Sequence, residues 1–294
     1  MKVSKTISRL IISRLLLITG ILTLCFQLVI FNSAAQYTKL LDFDGAANGR
    51  IPGVSLLYDG TFLYGMTGLG GTNNQGTIFK IMPDGTGYVK LLDFDGALKG
   101  SFPRGSLISD GTFLYGMTNG GGANNRGTIF KIMPDGNGYV KLLDFAGTAN
   151  GSSPGGSLIS DGTFLYGMTS VGGTSNIGII FKIMPDGTGY AKLLDFAGAA
   201  NGSEPQGSLV SDGTFLYGMT EIGGTNNLGT IFKIMPDGTG FVKLLDFTGA
   251  ANGSKPKGSF ISDGTFLYGM TSSGGTNGLG TVFKYSLSQN FITQ

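Results

Sequence analysis

The sequence predicts an all-β fold: a five-bladed β-propeller of four-stranded antiparallel blades, closed by its own N-terminal strand. Three observations predict it. A 51-residue unit recurs five times without insertion or deletion, since LLDF begins at Leu40, Leu91, Leu142, Leu193 and Leu244, and YGMT begins at Tyr64, Tyr115, Tyr166, Tyr217 and Tyr268. Each unit reads as two hairpins, and no stretch of about ten residues carries a helical apolar period. The repeat array also starts and stops out of phase, opening with a fourth strand at residues 37–43 and finishing with a third strand at residues 281–287, so that the two leftovers complete one blade.

The elements follow in order from the second unit. Residues 106–109 form a short strand a, Asp110-Gly111 a hairpin turn, and residues 112–118 (TFLYGMT) a strand b rich in β-formers. Residues 119–126 are a Gly- and Asn-rich loop, residues 128–133 (TIFKIM) strand c, residues 134–138 a Pro-Asp-Gly turn, and residues 139–145 (YVKLLDF) strand d. A four-stranded unit with a period of about 40–50 residues is a propeller-blade signature. Strands b and d carry apolar groups on both faces, as expected of sheets sandwiched between others. Gly116 and its four equivalents interrupt strand b, and either close backbone approach near an axis or a β-bulge explains a glycine there. A ring latched by residues 37–43 removes the sheet edges that an open array would expose.

The strings FLYGMTSSGGTNGLGTVFK at residues 266–284 and PDGTGYVKLLDF at residues 83–94 resemble the bacterial extracellular tandem repeat called GloVer, across all five units. The placement of glycines after an aromatic strand is also kelch-like, although the paired kelch glycines and the later Trp are not matched. The resemblance implies a propeller and an extracellular address, and it brings no catalytic residue with it.

Residues 1–35 hold Lys2, Lys5, Arg9 and Arg14 with no acid, an apolar run over residues 15–31, and then Ser33-Ala34-Ala35. This is the layout of a secretory signal peptide cleaved after Ala35, leaving a propeller domain over residues 36–294 that is secreted, extracellular or periplasmic in the cell envelope. No C-terminal anchor is expected from the seven residues 288–294. Removing the four signal cations turns a net charge of +2 into −2, because 16 Lys and Arg then face 18 Asp and Glu. A near-neutral chain without basic runs has no electrostatic footprint for nucleic acid. With the signal gone no membrane span is expected, and the protein is expected to be a monomer.

Composition narrows the chemistry. With no His, no Trp and one Cys, the chain cannot build a Ser-His-Asp or Cys-His arrangement, a His-ligated zinc site or a Cys-rich cluster. The Asp residues of LLDF, SDG and PDG recur in every or nearly every unit and read as turn and cap residues. Glu204 and Glu221 are the only glutamates, both on loops of the fourth unit, and a solvated position is expected for them. Asp44 lacks acidic counterparts at Ala146, Ala197 and Thr248, so no calcium loop is read, and no cofactor or metal is expected. An enzyme is not expected, a glycosidase being a distant alternative.

Function is expected on one face. Strands alternate in direction, so the b-to-c loop and the d-to-a crossover share a face, and that face carries nearly all the variation between units. In the crossovers Arg50, Ile51 and Gly53 become Ser101, Phe102 and Arg104, then Ser152, Ser153 and Gly155, then Ser203, Glu204 and Gln206, then Ser254, Lys255 and Lys257. In the b-to-c loops Leu69, Gly120, Val171, Ile222 and Ser273 differ, as do Gln75, Arg126, Ile177, Leu228 and Leu279. The expected role is a non-catalytic binding module for a glycan or other envelope polymer. The ligand-binding candidates are the loop amides of Asn73, Asn74, Asn124, Asn125, Asn176, Asn226, Asn227 and Asn277. The alternative is a structural or assembly protein of the cell envelope, with the Asn-Gly loops serving turn chemistry alone.

Overall fold

The structure is a computed structural model and describes residues 37–287. The signal layout of residues 1–35 lies outside the described residues. The chain divides into two units, residues 1–39 and residues 40–294. The described part of the second unit contains strands and no helix, arranged as five antiparallel sheets, one for each repeat.

In repeats one, three and four the strand order is a-b-c-d, as in Ile159–Ser160, Leu165–Thr169, Ile179–Ile183 and Ala191–Asp195. Repeat two has a longer strand b, Leu114–Gly120, and an additional strand, Ser101–Pro103, paired to its end. The last sheet has three strands, Ile261–Ser262, Phe266–Thr271 and Thr281–Ser286.

The predicted latch is therefore not a hydrogen-bonded strand in this structure. Residues 40–43 nevertheless occupy the place of a strand d against repeat one. Phe43 meets Phe79 edge-on at 5.4 Å, as Phe94 meets Phe130 at 5.5 Å. A Cβ on Gly85 would lie 3.2 Å from the Leu40 carbonyl, and one on Gly136 would lie 3.1 Å from that of Leu91.

The core lies between sheets, in four clusters. Tyr64, Met66, Ile78 and Phe94 of repeat one pack on Leu107, Leu114, Phe130 and Ile132 of repeat two, and the later boundaries repeat the pattern. Burying a side chain of this size contributes roughly 1.5–3 kcal/mol, so each boundary outweighs any single turn. The two outermost surfaces are open. Met270 is 63% exposed where Met219 is 4%, Val282 is 80% where Ile231 is 1%, and Leu56 is 50% where Leu107 is 4%.

The strand-b glycines have a different cause from the two that the sequence suggested. Gly116 pairs with Phe130 across the ladder, and a Cβ at Gly116 would lie 2.6 Å from the ring tip. The Phe ring lies across the glycine, covering the backbone that a side chain would otherwise cover. The bulge lies on the other side of strand c, where pairing with strand d shifts register between Ile129 and Phe130.

Candidate functional site

The variable face is built by mutual hydrogen bonding of crossovers and loops. Within a repeat the crossover binds the b-to-c loop, as Ser152 N does to Val171 O at 2.9 Å and Ser203 N to Ile222 O at 2.9 Å. The next crossover residue reaches back one repeat: Phe102 N donates to Gln75 O at 3.0 Å, Ser153 N to Arg126 O at 2.9 Å, and Glu204 N to Ile177 O at 2.8 Å. Ile51, Phe102, Ser153, Glu204 and Lys255 all take φ of 55–58°, the left-handed region, although none of the five is glycine. A non-glycine residue in this region costs on the order of 1–2 kcal/mol. Side chains are thus displayed at five strained positions in a chain that uses glycine at most other positions of this kind.

The predicted asparagines shape the rim of this face. Asn74, Asn125, Asn176 and Asn227 take left-handed φ, and their Oδ1 atoms accept from the amides of Gly70, Gly121, Gly172 and Gly223 at 3.0–3.2 Å. Asn73, Asn124 and Asn226 donate from Nδ2 to the carbonyls of Phe94, Phe145 and Phe247 at 3.0–3.1 Å. Asn277 occupies the corresponding place in repeat five, whose sheet has no fourth strand. Seven of the eight amides that sequence patterning singled out are thereby engaged in closing their own loops.

The structure brings a different set together at the axis. Ser55 N donates to Ser106 Oγ at 3.0 Å, and Ser106, Ser157 and Ser208 donate in the same way to the hydroxyls of Ser157, Ser208 and Ser259 at 2.8 Å. This ladder has four rungs joining five repeats, with Ser55 and Ser259 at its ends. Gly105 and Gly156 precede two of these serines, and a Cβ on either would collide with the carbonyl of the next repeat's glycine. The axial cavity they line measures ≈ 550 Å³.

On the variable face the axis opens into a second cavity of ≈ 690 Å³. Ile51, Leu69 and Phe102 line one side, and Gln206, Glu221 and Lys257 contribute polar groups. Lys257 Nζ lies 3.0 Å from Glu221 Oε1, and the Glu221 side chain is 16% exposed, so this glutamate is paired and largely sheltered where a solvated loop was expected. Arg104 also lines the cavity and is exposed. Sequence comparison of the five crossovers exposed these positions as variable. Only the shared axis reveals that they converge.

The opposite face consists of self-contained turns. Asp110 Oδ1 accepts from Thr112 N at 2.8 Å and Phe113 N at 2.7 Å, while Oδ2 accepts from the Tyr115 hydroxyl at 2.7 Å, and the set recurs around Asp59, Asp161, Asp212 and Asp263. The LLDF aspartates do more than cap turns. Asp195 binds Thr174 N at 3.0 Å and Lys192 Nζ at 2.7 Å, tying strand d to a loop 21 residues away.

The profile of the Gloeobacter/Verrucomicrobia repeat matches residues 27–164 and 159–294. The chain belongs to this family. No curated protein matches the chain in sequence. Solved structures similar to this member of the repeat family are propeller-type proteins. A chain of the nidogen/laminin complex is 17% identical at a TM-score of 0.53, covering 79% of this chain and 75% of that one. Oligogalacturonate lyase from Vibrio parahaemolyticus is 12% identical at 0.56, covering 88% and 71%. The extracellular domain of a putative one-component system from B. thetaiotaomicron is 13% identical at 0.55, covering 86% of this chain and 29% of that one. At such identities the likeness concerns the fold alone.

Proposed function

We propose that this protein is a non-catalytic binding module of the cell envelope, secreted through the signal layout of residues 1–35, which holds a glycan or other surface polymer on its variable face. One observation carries the reading. Crossovers from all five repeats converge on one axial cavity and differ there from repeat to repeat, whereas the turns of the opposite face repeat the same hydrogen bonds. Loops held by a rigid scaffold are the usual seat of recognition. Ligand contacts are assigned to the mouth of the cavity and to the loops around it that carry the eight asparagines.

The reading includes ring closure into five blades. Residues 40–43 already sit on repeat one as a strand d would, and among the described residues no strand d is paired to Thr281–Ser286. Closure would bring Phe43 to Asn277 and Asp42 to Thr276, the partners that the corresponding residues have in repeat four. A glycan array probed with residues 36–294, followed by titration calorimetry on the hits, tests the function. Saturable binding lost on changing crossover residues and kept on changing Asp110 or Asp161 supports it. Binding that follows the Asp turns, or none across the array, removes it.

The assembly reading is favoured by one observation, the exposed apolar surface around Met270 and Val282. It requires a stable oligomer of residues 36–294.

A further inference from the structure

We infer that the mouth of the axial cavity is a site for an acidic sugar, a pyranose carrying one anionic group, with Phe102 as its stacking platform and Arg104 as its anion clamp. The inference rests on the binding-module reading and names the ligand class of that site.

The cavity falls within the range of about 300–1,000 Å³ usual for small-molecule sites, at ≈ 690 Å³. Its charge is unbalanced in a specific way. Lys257 is satisfied by Glu221 at 3.0 Å, which leaves Arg104 as the cation lining the cavity whose guanidinium makes no hydrogen bond or ion pair with another described residue. A guanidinium offers a planar fork that fits a carboxylate or sulfate with two parallel hydrogen bonds. The net +1 of Arg104, Lys257 and Glu221 therefore selects one negative charge.

The apolar side selects what carries that charge. Phe102 is 40% exposed and Ile51 60%, both at left-handed φ, so two apolar side chains are presented to solvent in a conformation that glycine would adopt more cheaply. Phe102 is anchored by its amide's bond to Gln75 O at 3.0 Å and by the pairing of the flanking Ser101 and Pro103 with strand b. An exposed ring and an unpaired guanidinium lining one cavity suit a pyranose, which has an apolar CH face and edge substituents. Below the mouth the axis is lined mainly by glycine and serine, an environment of backbone carbonyls and amides that accommodates sugar hydroxyls and offers little to a second apolar ring.

The test uses residues 36–294 and three probes: a uronic-acid tetrasaccharide, the same tetrasaccharide as its methyl ester, and a sulfated tetrasaccharide. Calorimetry should show the acid binding at least about ten-fold tighter than the ester, the scale of one charge-assisted hydrogen bond. Arg104→Gln should abolish that difference without lowering Tm, since Arg104 holds no internal partner. Phe102→Gly should weaken the acid and the ester alike while holding or raising Tm, because it relieves the left-handed backbone. A purely structural Phe102 would lower Tm and spare binding. The sulfated probe distinguishes the sources of charge: preference for it over the uronate identifies a sulfated ligand on the same clamp. Equal binding of acid and ester, or an Arg104→Gln variant that still discriminates, overturns the acidic-sugar assignment and leaves the binding module standing. If the glycan array and all three probes fail together, both readings fall.

Discussion

At the scale of single residues, the chain separates its titrations widely. Burial opposes the charge of Asp110, but hydrogen bonds from Phe113 N, the Tyr115 hydroxyl and Thr112 N outweigh it and hold the carboxyl below the usual range. Asp161 behaves in the same way. Their partner tyrosines move up: Tyr64 is pushed to about 12, first by burial and then by its bond to Asp59. A carboxyl lowered by folding contributes stability above its ordinary pKa, and that stability is lost as pH falls through the folded value. A raised tyrosine contributes stability below its ordinary value of about 10, lost as pH rises through the folded one. The chain has no His, and its one Cys is Cys25. Residues 36–294 therefore contain no imidazole or thiol, the side chains whose ordinary pKa values lie between about pH 5 and 9. Thermal melts should show a flat Tm across that window and a fall below about pH 4. A slope centred near pH 6 would contradict this account.

At the scale of elements, the b-to-c loop is a scaffold before it is anything else. Asn124 ties the loop to strand d through Phe145 O at 3.0 Å, and Asn125 combines left-handed φ with a bond from Gly121 N at 3.1 Å. Asn124→Ala should lower unfolding free energy by about 0.5–1.5 kcal/mol. Asn125→Gly should cost less than Asn125→Ala, since glycine keeps the backbone accessible. Chemical denaturation measures both. Wild-type stability combined with lost ligand affinity in Asn124→Ala would show that the loop amides contact ligand directly. The repeated GGTNN spelling was legible in the sequence, but its reason was not. A turn asparagine and a ligand asparagine are spelled alike, and the distinction rests on carbonyls 21 residues away. The strand-b glycine illustrates the same limit, because the Phe ring that covers Gly116 comes from the neighbouring strand.

At the scale of the whole molecule, the two outermost surfaces are complementary halves of a boundary that occurs four times inside the array. Leu56 belongs to one half, and Met270 and Val282 belong to the other. Closure through residues 40–43 would cover the outer edge of strand Thr281–Ser286 and part of this surface. Deleting residues 36–43 should therefore destabilise the protein and expose a pairing-competent edge, seen as oligomers or aggregates by size-exclusion chromatography with light scattering. A deletion variant as stable and monomeric as the parent would refute the latch.

The sequence by itself determined the all-β class, the 51-residue unit, the strand order within each repeat and the face that carries variation. These depend on local patterning, on turn residues at constant spacing and on strand parity, all of which act over a few residues. Only the tertiary structure decided that the crossovers meet at an axis, that Lys257 answers Glu221 across two repeats, and that the repeated asparagines are spent on internal bonds. Those facts depend on distances between residues tens of positions apart. A five-fold repeat leaves such distances open, because each unit is spelled almost identically while its position around the axis is set by packing against its neighbours.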